Sequence, residues 1–203
     1  MKHAVIVGHP DLSSFTLSVT KTYEATVRDI GHDCLVRDLY RMDFEPRLAL
    51  SELSNRPGTA PAEDVAAERR MLQEIDVFAF VYPLWFNSPP AIVKGYIDRV
   101  FGLGFGYNLL YQGGQEPLLA GRQLIHLTSS SSRNAWLNEQ GAYNALRNLF
   151  DDYLGRVCGM QVRPHIHSDS ITAGMDERWG RTALEKVETQ LRKYFDPDAW
   201  KHI

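Results

Sequence analysis

Short apolar runs alternate with longer amphipathic stretches along most of this 203-residue chain. Such alternation is typical of parallel strands joined by crossover helices. The runs are nearly all apolar, which indicates strands covered on both faces. The predicted strands span residues 3–8, 33–39, 77–82, 121–128 and 161–166, and the predicted helices span residues 15–30, 62–74, 91–101, 140–159 and 175–195. We therefore expect an α/β fold in which a doubly wound, five-stranded parallel sheet carries helices on both faces.

The composition is that of an ordinary globular protein, with 44% hydrophobic and 23% charged residues. A formal net charge of -3 gives no electrostatic basis for binding nucleic acid, whose backbone demands a basic surface. No apolar stretch approaches the length of a membrane span. Cys34 and Cys158 are predicted to be buried free thiols, which favours a reducing compartment. We expect a single domain over residues 1–203, located in the cytoplasm without membrane insertion.

A stiff aromatic loop follows the third predicted strand. Residues 83–90 contain three prolines, with Trp85 and Phe86 between them. Prolines fix φ and remove backbone donors, so the loop cannot continue the strand. Open α/β sheets bind ligands in the crevice beyond the carboxyl ends of their strands. Either ring alone would more often cover the core, but the whole run favours a planar ligand.

Hydroxyl-bearing residues follow the first and fourth predicted strands. A helix N-terminus attracts phosphate, although a serine there is more often a plain cap. A run of serines is equally typical of a flexible solvated loop. The glycine fingerprints of dinucleotide-binding turns and phosphate-binding loops are absent. Because the loops after strands one, three and four converge at one end of such a sheet, we expect a single site there. The polar side chains of this site are His9, Ser13, Ser14 and Thr16 after strand one, and those of the run from Thr128 to Asn134 after strand four.

Several segments together resemble the flavodoxin-like NAD(P)H:quinone oxidoreductases, which include quinone reductases and modulator-of-drug-activity proteins. The most specific segments are PLWF at residues 83–86 and PAIVKGYIDRVF at residues 90–101. The turn over residues 8–16 and the GFGY sequence at residues 104–107 add to the match. The resemblance extends from the first strand to about the fifth and weakens toward the C-terminus. It implies a flavodoxin-like fold with a bound flavin, FAD being favoured over FMN.

The resemblance also implies an enzyme in which the flavin carries hydride from NADPH or NADH to a quinone or similar acceptor by a ping-pong mechanism. Such enzymes are usually homodimers whose substrate pocket lies over the flavin at the subunit boundary. The implied cofactor-binding residues are His9, Ser14, Phe15, Thr16, Pro83, Leu84, Trp85, Phe86, Asn87, Thr128, Ser129 and Ser130, with main-chain N–H groups of residues 84–87 as donors to the ring. The implied substrate-pocket residues are Gly106, Tyr107, Tyr111 and Trp136.

The chain departs from the family pattern after strand four, where serines replace the usual Thr-Thr-Gly-Gly sequence. Mammalian-type enzymes place a tyrosine and a histidine after this loop as a proposed proton relay. Here Tyr143 is the candidate catalytic side chain, and the chemistry otherwise belongs to the flavin. Two other interpretations stay open. One is a flavin-bound, redox-sensing ancillary subunit of a membrane transporter, with a docking surface in residues 40–61; the other is a one-electron flavodoxin.

Two groups of titratable residues have the composition of metal or catalytic sites. His165 and His167 alternate on a predicted strand and share a face, but no third metal ligand is evident from the sequence. Asp151 and Asp152 are adjacent on a predicted helix, so their side chains do not face each other. We therefore expect both aspartates on a solvated surface, and we predict no metal site.

Overall fold

The computed structural model describes residues 1–53, 60–110 and 113–198. Its strands are β1 (Lys2–Val7), β2 (Asp33–Asp38), β3 (Val77–Pro83), β4 (Tyr107–Leu109), β5 (Gln115–Pro117), β6 (Gln123–Ser129), β7 (Gln161–Val162) and β8 (Ile166–Ser168). The main sheet has the order β2-β1-β3-β6, and both β7 and β8 pair with β6. All of these pairings are parallel. The strand order matches the flavodoxin-like arrangement, so the predicted fold class is confirmed.

Helices cover both faces of this sheet. They are α1 (Phe15–Asp29), α2 (Glu63–Met71), α3 (Ala91–Val100), α4 (Asn134–Glu139), α5 (Ala142–Arg147), α6 (Leu154–Cys158) and α7 (Glu177–Phe195). One hydrophobic core joins α1 and α7 to the sheet, with Tyr23 and Leu191 fully buried. The other joins α2, α3 and α6 to the opposite face, with Tyr96 fully buried. No described helix is long and apolar enough to cross a membrane.

The structure differs from the sequence-based boundaries in three places. The predicted strand over residues 161–166 is two short strands, because Pro164 between them has no N–H to donate. The predicted helix over residues 140–159 is α5 and α6 joined by a π-helical segment, Asn148–Tyr153. The glycine-rich excursion before β6 contains the antiparallel hairpin of β4 and β5. Both cysteines are free, as predicted, but only Cys158 is fully buried.

Arg99 of α3 forms ion pairs and a hydrogen bond with α2 and with the long segment between β2 and α2, which we call the excursion. Its guanidinium lies 3.1 Å from a Glu52 carboxylate oxygen and 2.9 Å from an Asp64 oxygen. It also donates to the main-chain oxygen of Glu45. The Arg99 and Glu52 side chains are each only 4% exposed, so this ion pair is shielded from water. Residues 54–59 of the excursion, which was considered as a docking surface, lie outside the described residues.

Gly95 allows the same excursion to approach α3 closely. A Cβ at this position would lie 2.2 Å from the main-chain oxygen of Pro46. Alanine normally stabilises a helix relative to glycine by about 0.5–1 kcal/mol. Here we expect the cost of overpacking against Pro46 to exceed the gain in helix propensity. Gly95→Ala should therefore lower the free energy of unfolding by about 1–3 kcal/mol, as measured in urea titrations.

Gly180 of α7 is a matched control for this prediction. A Cβ there would meet only the flexible end of Met175, at 3.1 Å. Gly180→Ala is therefore expected to be neutral or stabilising. Equal unfolding midpoints for the two alanine variants would contradict the close approach at Gly95.

Candidate functional site

The carboxyl edge of the sheet brings together the three loops that the sequence predicts to form one site. The Gly8 N–H donates to the Val81 oxygen at 3.2 Å, which ties the loop after β1 to β3. The Leu84 N–H donates to the Ser129 oxygen at 2.7 Å, which ties the loop after β3 to β6. The His9 and Trp85 rings lie 6.1 Å apart between their centroids. The first and second loops therefore share a wall that carries two aromatic rings.

The aromatic loop is a tight turn with an unusual backbone. The main chains of Trp85 and Ser88 exchange two hydrogen bonds of 3.1 Å. Phe86 and Asn87, between them, have φ angles of 50° and 55°. Positive φ at both central positions is the hairpin geometry that favours Asn and Gly, and for an ordinary side chain it costs roughly 1–2 kcal/mol. The Asn87 side chain donates to the Ala142 oxygen at 2.8 Å and so fixes the turn to α5.

This geometry limits which main-chain groups remain free for a ligand. The N–H groups of Leu84 and Trp85 are already used within the protein. The predicted donors therefore narrow to Phe86 and Asn87, whose N–H groups occupy the tip of the turn. Leu84 packs against the core instead of facing the site. Trp85 is 43% exposed and Phe86 fully exposed, so the rings point away from the core as a planar ligand would require.

The loop after β1 is held by its own hydrogen bonds. Asp11 accepts from both the N–H and the hydroxyl of Ser13, each at 2.8 Å. Arg41, which follows β2, donates to the main-chain oxygens of His9 and Pro10. No sequence motif indicates this arginine, which brings a positive charge to the loop predicted to hold phosphate.

Ser14 and Thr16, which the sequence predicts as phosphate-binding residues, are both part of the start of α1. Ser14 is the N-cap of α1, and its hydroxyl accepts from the Leu17 N–H at 3.3 Å. Thr16 is buried, and Phe15 packs at the edge of the core. The first-turn N–H groups of a helix have no partner within the helix. A phosphate at this end would therefore meet main-chain groups of Phe15 and Thr16 more readily than their side chains.

The end of β6 and the residue that follows it are more buried than a solvated serine run would be. Thr128, Ser129 and Ser130 are 5%, 6% and 9% exposed. The Ser130 N–H donates to the Ser168 oxygen at 3.1 Å, which ties the loop to β8. The interpretation as a flexible solvated loop is therefore wrong for these three residues.

Beneath this loop lies a continuous chain of polar side chains on one face of the sheet. The Thr128 hydroxyl lies 2.7 Å from both His165 Nε2 and His167 Nδ1. His167 Nε2 lies 3.1 Å from the Ser130 hydroxyl. His165 Nδ1 lies 2.9 Å from an Asp151 oxygen, and His126 Nδ1 lies 2.6 Å from the other oxygen. We call these six residues the polar chain: Ser130, His167, Thr128, His165, Asp151 and His126.

Asp151 corrects the expectation of a solvated aspartate pair. Its residue exposure is 1%, because the π-helical segment turns its carboxylate onto the sheet between the two histidines. Burial by itself would raise the pKa of Asp151, but hydrogen bonds from His126 and His165 outweigh it and hold the pKa well below the usual range. Asp151 is therefore a buried carboxylate anion. Asp152 is exposed, as predicted.

The polar chain also contains three residues of metal-ligand type. Ligand atoms of His126, Asp151 and His165 all lie within 4.8 Å of one another. Two ligands on a tetrahedral zinc ion, each about 2.0 Å from it, would lie roughly 3.3 Å apart. The distances of 2.6 and 2.9 Å from Asp151 to the two imidazoles are those of hydrogen bonds. The geometry thus favours a hydrogen-bonded group, and the absence of a metal site stays a prediction.

The remaining candidates lie in different places. Tyr143 of α5 stands over the polar chain, with ring centroids 5.5 Å from His165 and 5.6 Å from His167. Trp136 of α4 is 53% exposed. Gly106 and Tyr107 follow the far end of α3, which runs away from the three loops. Within one chain they therefore do not join this site, and Gly106 is packed against the Phe101 oxygen. Tyr111 lies outside the described residues.

Comparisons with known proteins agree with this architecture. The family model Flavodoxin_2, described as a flavodoxin-like fold, matches residues 1–191. An uncharacterized NAD(P)H oxidoreductase of Haemophilus influenzae is 32% identical over 162 residues, which are 79% of this chain and 80% of that protein. The chain spans a smaller share, 65%, of the NAD(P)H dehydrogenase (quinone) 1 of Rattus norvegicus.

Solved structures are similar over nearly the whole chain. An NAD(P)H:quinone oxidoreductase from Methanothermobacter marburgensis has a TM-score of 0.83 and 26% identity, and covers 96% of this chain and 98% of its own. An FMN-dependent NADH-azoreductase from Bacillus anthracis, in complex with FMN, has a TM-score of 0.75 at 18% identity, over 95% of this chain and 98% of its own. The second likeness shows the fold alone. The chain therefore belongs to the Flavodoxin_2 family and is an oxidoreductase of the flavodoxin-like group that its sequence motifs predict.

Proposed function

We propose that this protein is a flavin-dependent NAD(P)H:quinone oxidoreductase with its flavin at the three-loop site. The observation that carries the proposal is the rigid turn at Phe86 and Asn87, which projects exposed aromatic rings and two free main-chain donors beside the hydroxyl-rich loop after β6. An energetically costly backbone is kept where the surrounding structure holds it, and such sites are often functional. The names of the Haemophilus and Methanothermobacter proteins point to the same reaction class.

The residues at this edge fit a flavin. Trp85 and His9 provide an aromatic wall for a flat ring. The N–H groups of Phe86 and Asn87 would donate to its polar edge, and Ser129 and Ser130 would contact the opposite edge. The N-terminus of α1, with the charge of Arg41 nearby, would hold the phosphate. Pro83 ends β3 and keeps this backbone fixed.

A bound flavin would accept hydride from NADPH or NADH and return it to a quinone, the two substrates using one site in turn. The protein's part is to bind, to orient and to supply a proton. We propose FAD as the flavin, with FMN as the alternative, which an FMN complex of similar fold illustrates. We also propose one domain, a cytoplasmic location and a homodimer. In that dimer Gly106, Tyr107 and Trp136 would complete the partner's substrate pocket.

The decisive experiment begins with the visible spectrum of the purified protein. We expect flavin absorption, release of FAD on denaturation followed by chromatography, and rapid NADPH-dependent reduction of 1,4-benzoquinone. A colourless protein that binds neither FAD nor FMN would overturn the proposal. Bound flavin with very slow quinone turnover would instead favour the ancillary-subunit interpretation. Sedimentation equilibrium on the same sample tests the homodimer.

Trp85→Ala is expected to weaken flavin retention at least tenfold, because the substitution removes the ring that forms one wall of the site; a change of this size corresponds to about 1.4 kcal/mol. The measurement is the dissociation constant of the flavin from fluorescence titration of the flavin-free protein. Trp179→Ala is the control, since Trp179 is exposed to a similar degree, 50%, on α7. Unchanged flavin affinity in the Trp85 variant would count against the proposed position of the ring.

A further inference from the structure

The hydrogen bonds of the polar chain can all be satisfied in one direction. Because Asp151 is an anion, it accepts from the Nδ1–H groups of His126 and His165. His165 Nε2 is then an acceptor, so the Thr128 hydroxyl must donate to it. Thr128 in turn accepts from the Nδ1–H of His167, whose Nε2 accepts from Ser130. In this state, which we call discharged, every donor points inward toward Asp151.

One added proton reverses the outer part of the chain without moving a heavy atom. If His165 carries a proton on both ring nitrogens, its Nε2–H donates to Thr128, and Thr128 donates to His167 Nδ1. The Nε2–H of His167 then donates to Ser130. The Ser130 hydroxyl lies 3.0 Å from the Ser132 oxygen, so its own proton has a second acceptor in this state. In this loaded state every donor from His165 Nε2 to Ser130 points away from Asp151, and a proton can leave at Ser130.

The chain has a place to hold that proton and a route to replace it. A charged His165 would form an ion pair with Asp151 at 2.9 Å, shielded from water because both side chains are almost completely buried. A cavity of about 260 Å³ beside His165 and His167 reaches the surface and is lined by Asn134, Asn138, Tyr143, Lys186 and Gln190. Solvent protons can thus reach the histidines through this cavity.

Charged and titratable groups face the two histidines from every element packed against them. They are Tyr82 from β3, His126 from β6, Tyr143 and Arg147 from α5, Asp151 from the π-helical segment, Asp169 after β8 and Lys186 from α7. Burial lowers the pKa of His165, and the hydrogen bond that His165 donates to Asp151 opposes it only in part. Burial lowers the pKa of His167 to about 4. A proton on either ring is therefore readily given up, as a relay requires.

We propose that the polar chain is a proton relay that delivers a proton through Ser130 to the acceptor in the three-loop site. The inference rests on the proposed function, because a quinone needs one hydride and one proton to become a hydroquinone. NAD(P)H is oxidised and supplies the hydride with its two electrons. An O–H bond forms on the quinone oxygen as the Ser130 O–H bond breaks. Ser130 takes the proton of His167, and His165 Nε2 loses one through Thr128. A solvent proton restores the loaded state.

Nitrogen-detected NMR of the histidine rings tests the relay without any reaction. In the flavin-free protein at about pH 8, we expect His165 and His167 as neutral Nδ1–H tautomers. His165 and His167 should titrate as a coupled pair in the wild type and in Thr128→Ser, and separately in Thr128→Val. A neutral Nε2–H tautomer at His165 or His167 would overturn the proposal, as would bound metal at one equivalent per chain.

Rapid-mixing kinetics of the flavin-loaded protein tests the direction of proton delivery. After reduction with NADPH, reoxidation by 1,4-benzoquinone is expected to slow about 10- to 100-fold in Thr128→Val and in His165→Gln, since a general acid is lost. In His165→Gln, reduction by NADPH should change less than about twofold. Wild-type reoxidation should become faster from about pH 8 to pH 6, while reoxidation of both variants stays independent of pH. His32→Gln is the control histidine, and Thr128→Ser should retain the wild-type rate and pH profile.

The outcomes separate the relay from the proposed function. If NADPH does not reduce the flavin bound to the wild-type protein, the proposed function is refuted. The histidine tautomers would still show in which direction the hydrogen bonds of the polar chain point. Reduction at the normal rate with unchanged reoxidation and pH profile in Thr128→Val would refute the relay alone. If Thr128→Val does not fold, the reoxidation rate of His165→Gln and the histidine tautomers of the wild type decide whether the relay exists.

Discussion

Arg99→Ala is expected to lower the free energy of unfolding by about 3–5 kcal/mol. The substitution would leave Glu52, whose side chain is 4% exposed, as a buried carboxylate without its cation. Burial tends to raise the pKa of Glu52, and only the hydrogen bonds from Arg99 and from main-chain N–H groups keep it below its usual value. Without Arg99 the Glu52 carboxyl must take up a proton, move into water or remain uncompensated, and each of these destabilises the excursion between β2 and α2. Urea denaturation at neutral pH measures the effect.

Two further variants show whether burial is the reason. Arg47→Ala removes an arginine with a similar ion pair to Glu45, but its side chain is 84% exposed. That change is expected to leave the free energy of unfolding nearly unchanged, because exposed ion pairs contribute little to stability. Adding Glu52→Gln to Arg99→Ala should recover a large part of the lost stability, because the uncompensated charge is then gone. Similar losses for the Arg47 and Arg99 single variants would contradict this account.

Acidification from pH 7 to pH 5 is expected to destabilise the protein by about 4 kcal/mol through two buried histidines, about 2 kcal/mol from each. Burial lowers the pKa of His3 to about 3, and His32 and the N-terminal amine add to the effect. Burial likewise lowers the pKa of His167 to about 4. In the unfolded chain both side chains titrate near pH 6.5.

The sign follows from which state binds the proton. Between pH 6.5 and the lowered pKa values of His3 and His167 in the folded protein, the unfolded chain binds protons that the folded protein does not. The free energy of unfolding therefore falls as pH falls. The contribution is fully present above about pH 6.5 and is lost progressively below it. Urea denaturation across pH 5–7 provides the measurement. His3→Phe should show about half the wild-type pH dependence, because it removes one of the two titrating groups. Equal midpoints for the wild type at pH 7 and pH 5 would contradict the prediction.

The strands of the main sheet could be predicted from the sequence because the patterns that indicate them are local. The continuous apolar runs before Gly8 and Pro83 indicate strands covered on both faces, and the proline-rich loop marks where β3 ends. Pro164 explains why the last predicted strand is split, but the pairing of β8 with β6 depends on tertiary packing. The hairpin of β4 and β5 has no strong periodicity, so its two three-residue strands were not found.

The candidate site was predictable only in part. The convergence of the loops follows from topology, and the structure brings His9 close to Trp85 as that topology requires. Which main-chain donors remain free depends on the turn hydrogen bonds, and Arg41 reaches the first loop from the end of a different strand. Neither is visible in a linear pattern. Adjacent aspartates on a regular helix are expected to face solvent. Only the π-helical geometry reveals that the Asp151 side chain faces the sheet.

That π-helical segment makes the buried carboxylate depend on chain length as well as on residue type. A π turn corresponds to one residue inserted into an α-helix. Deleting a single residue from Asn148–Tyr153 would let α5 and α6 merge into one regular helix, with neighbouring residues rotated by about 100° about its axis. Asp151 would then turn away from His126 and His165 although all three remained in the sequence. Among natural variants, a one-residue gap at this point should therefore coincide with the replacement of these histidines by apolar residues.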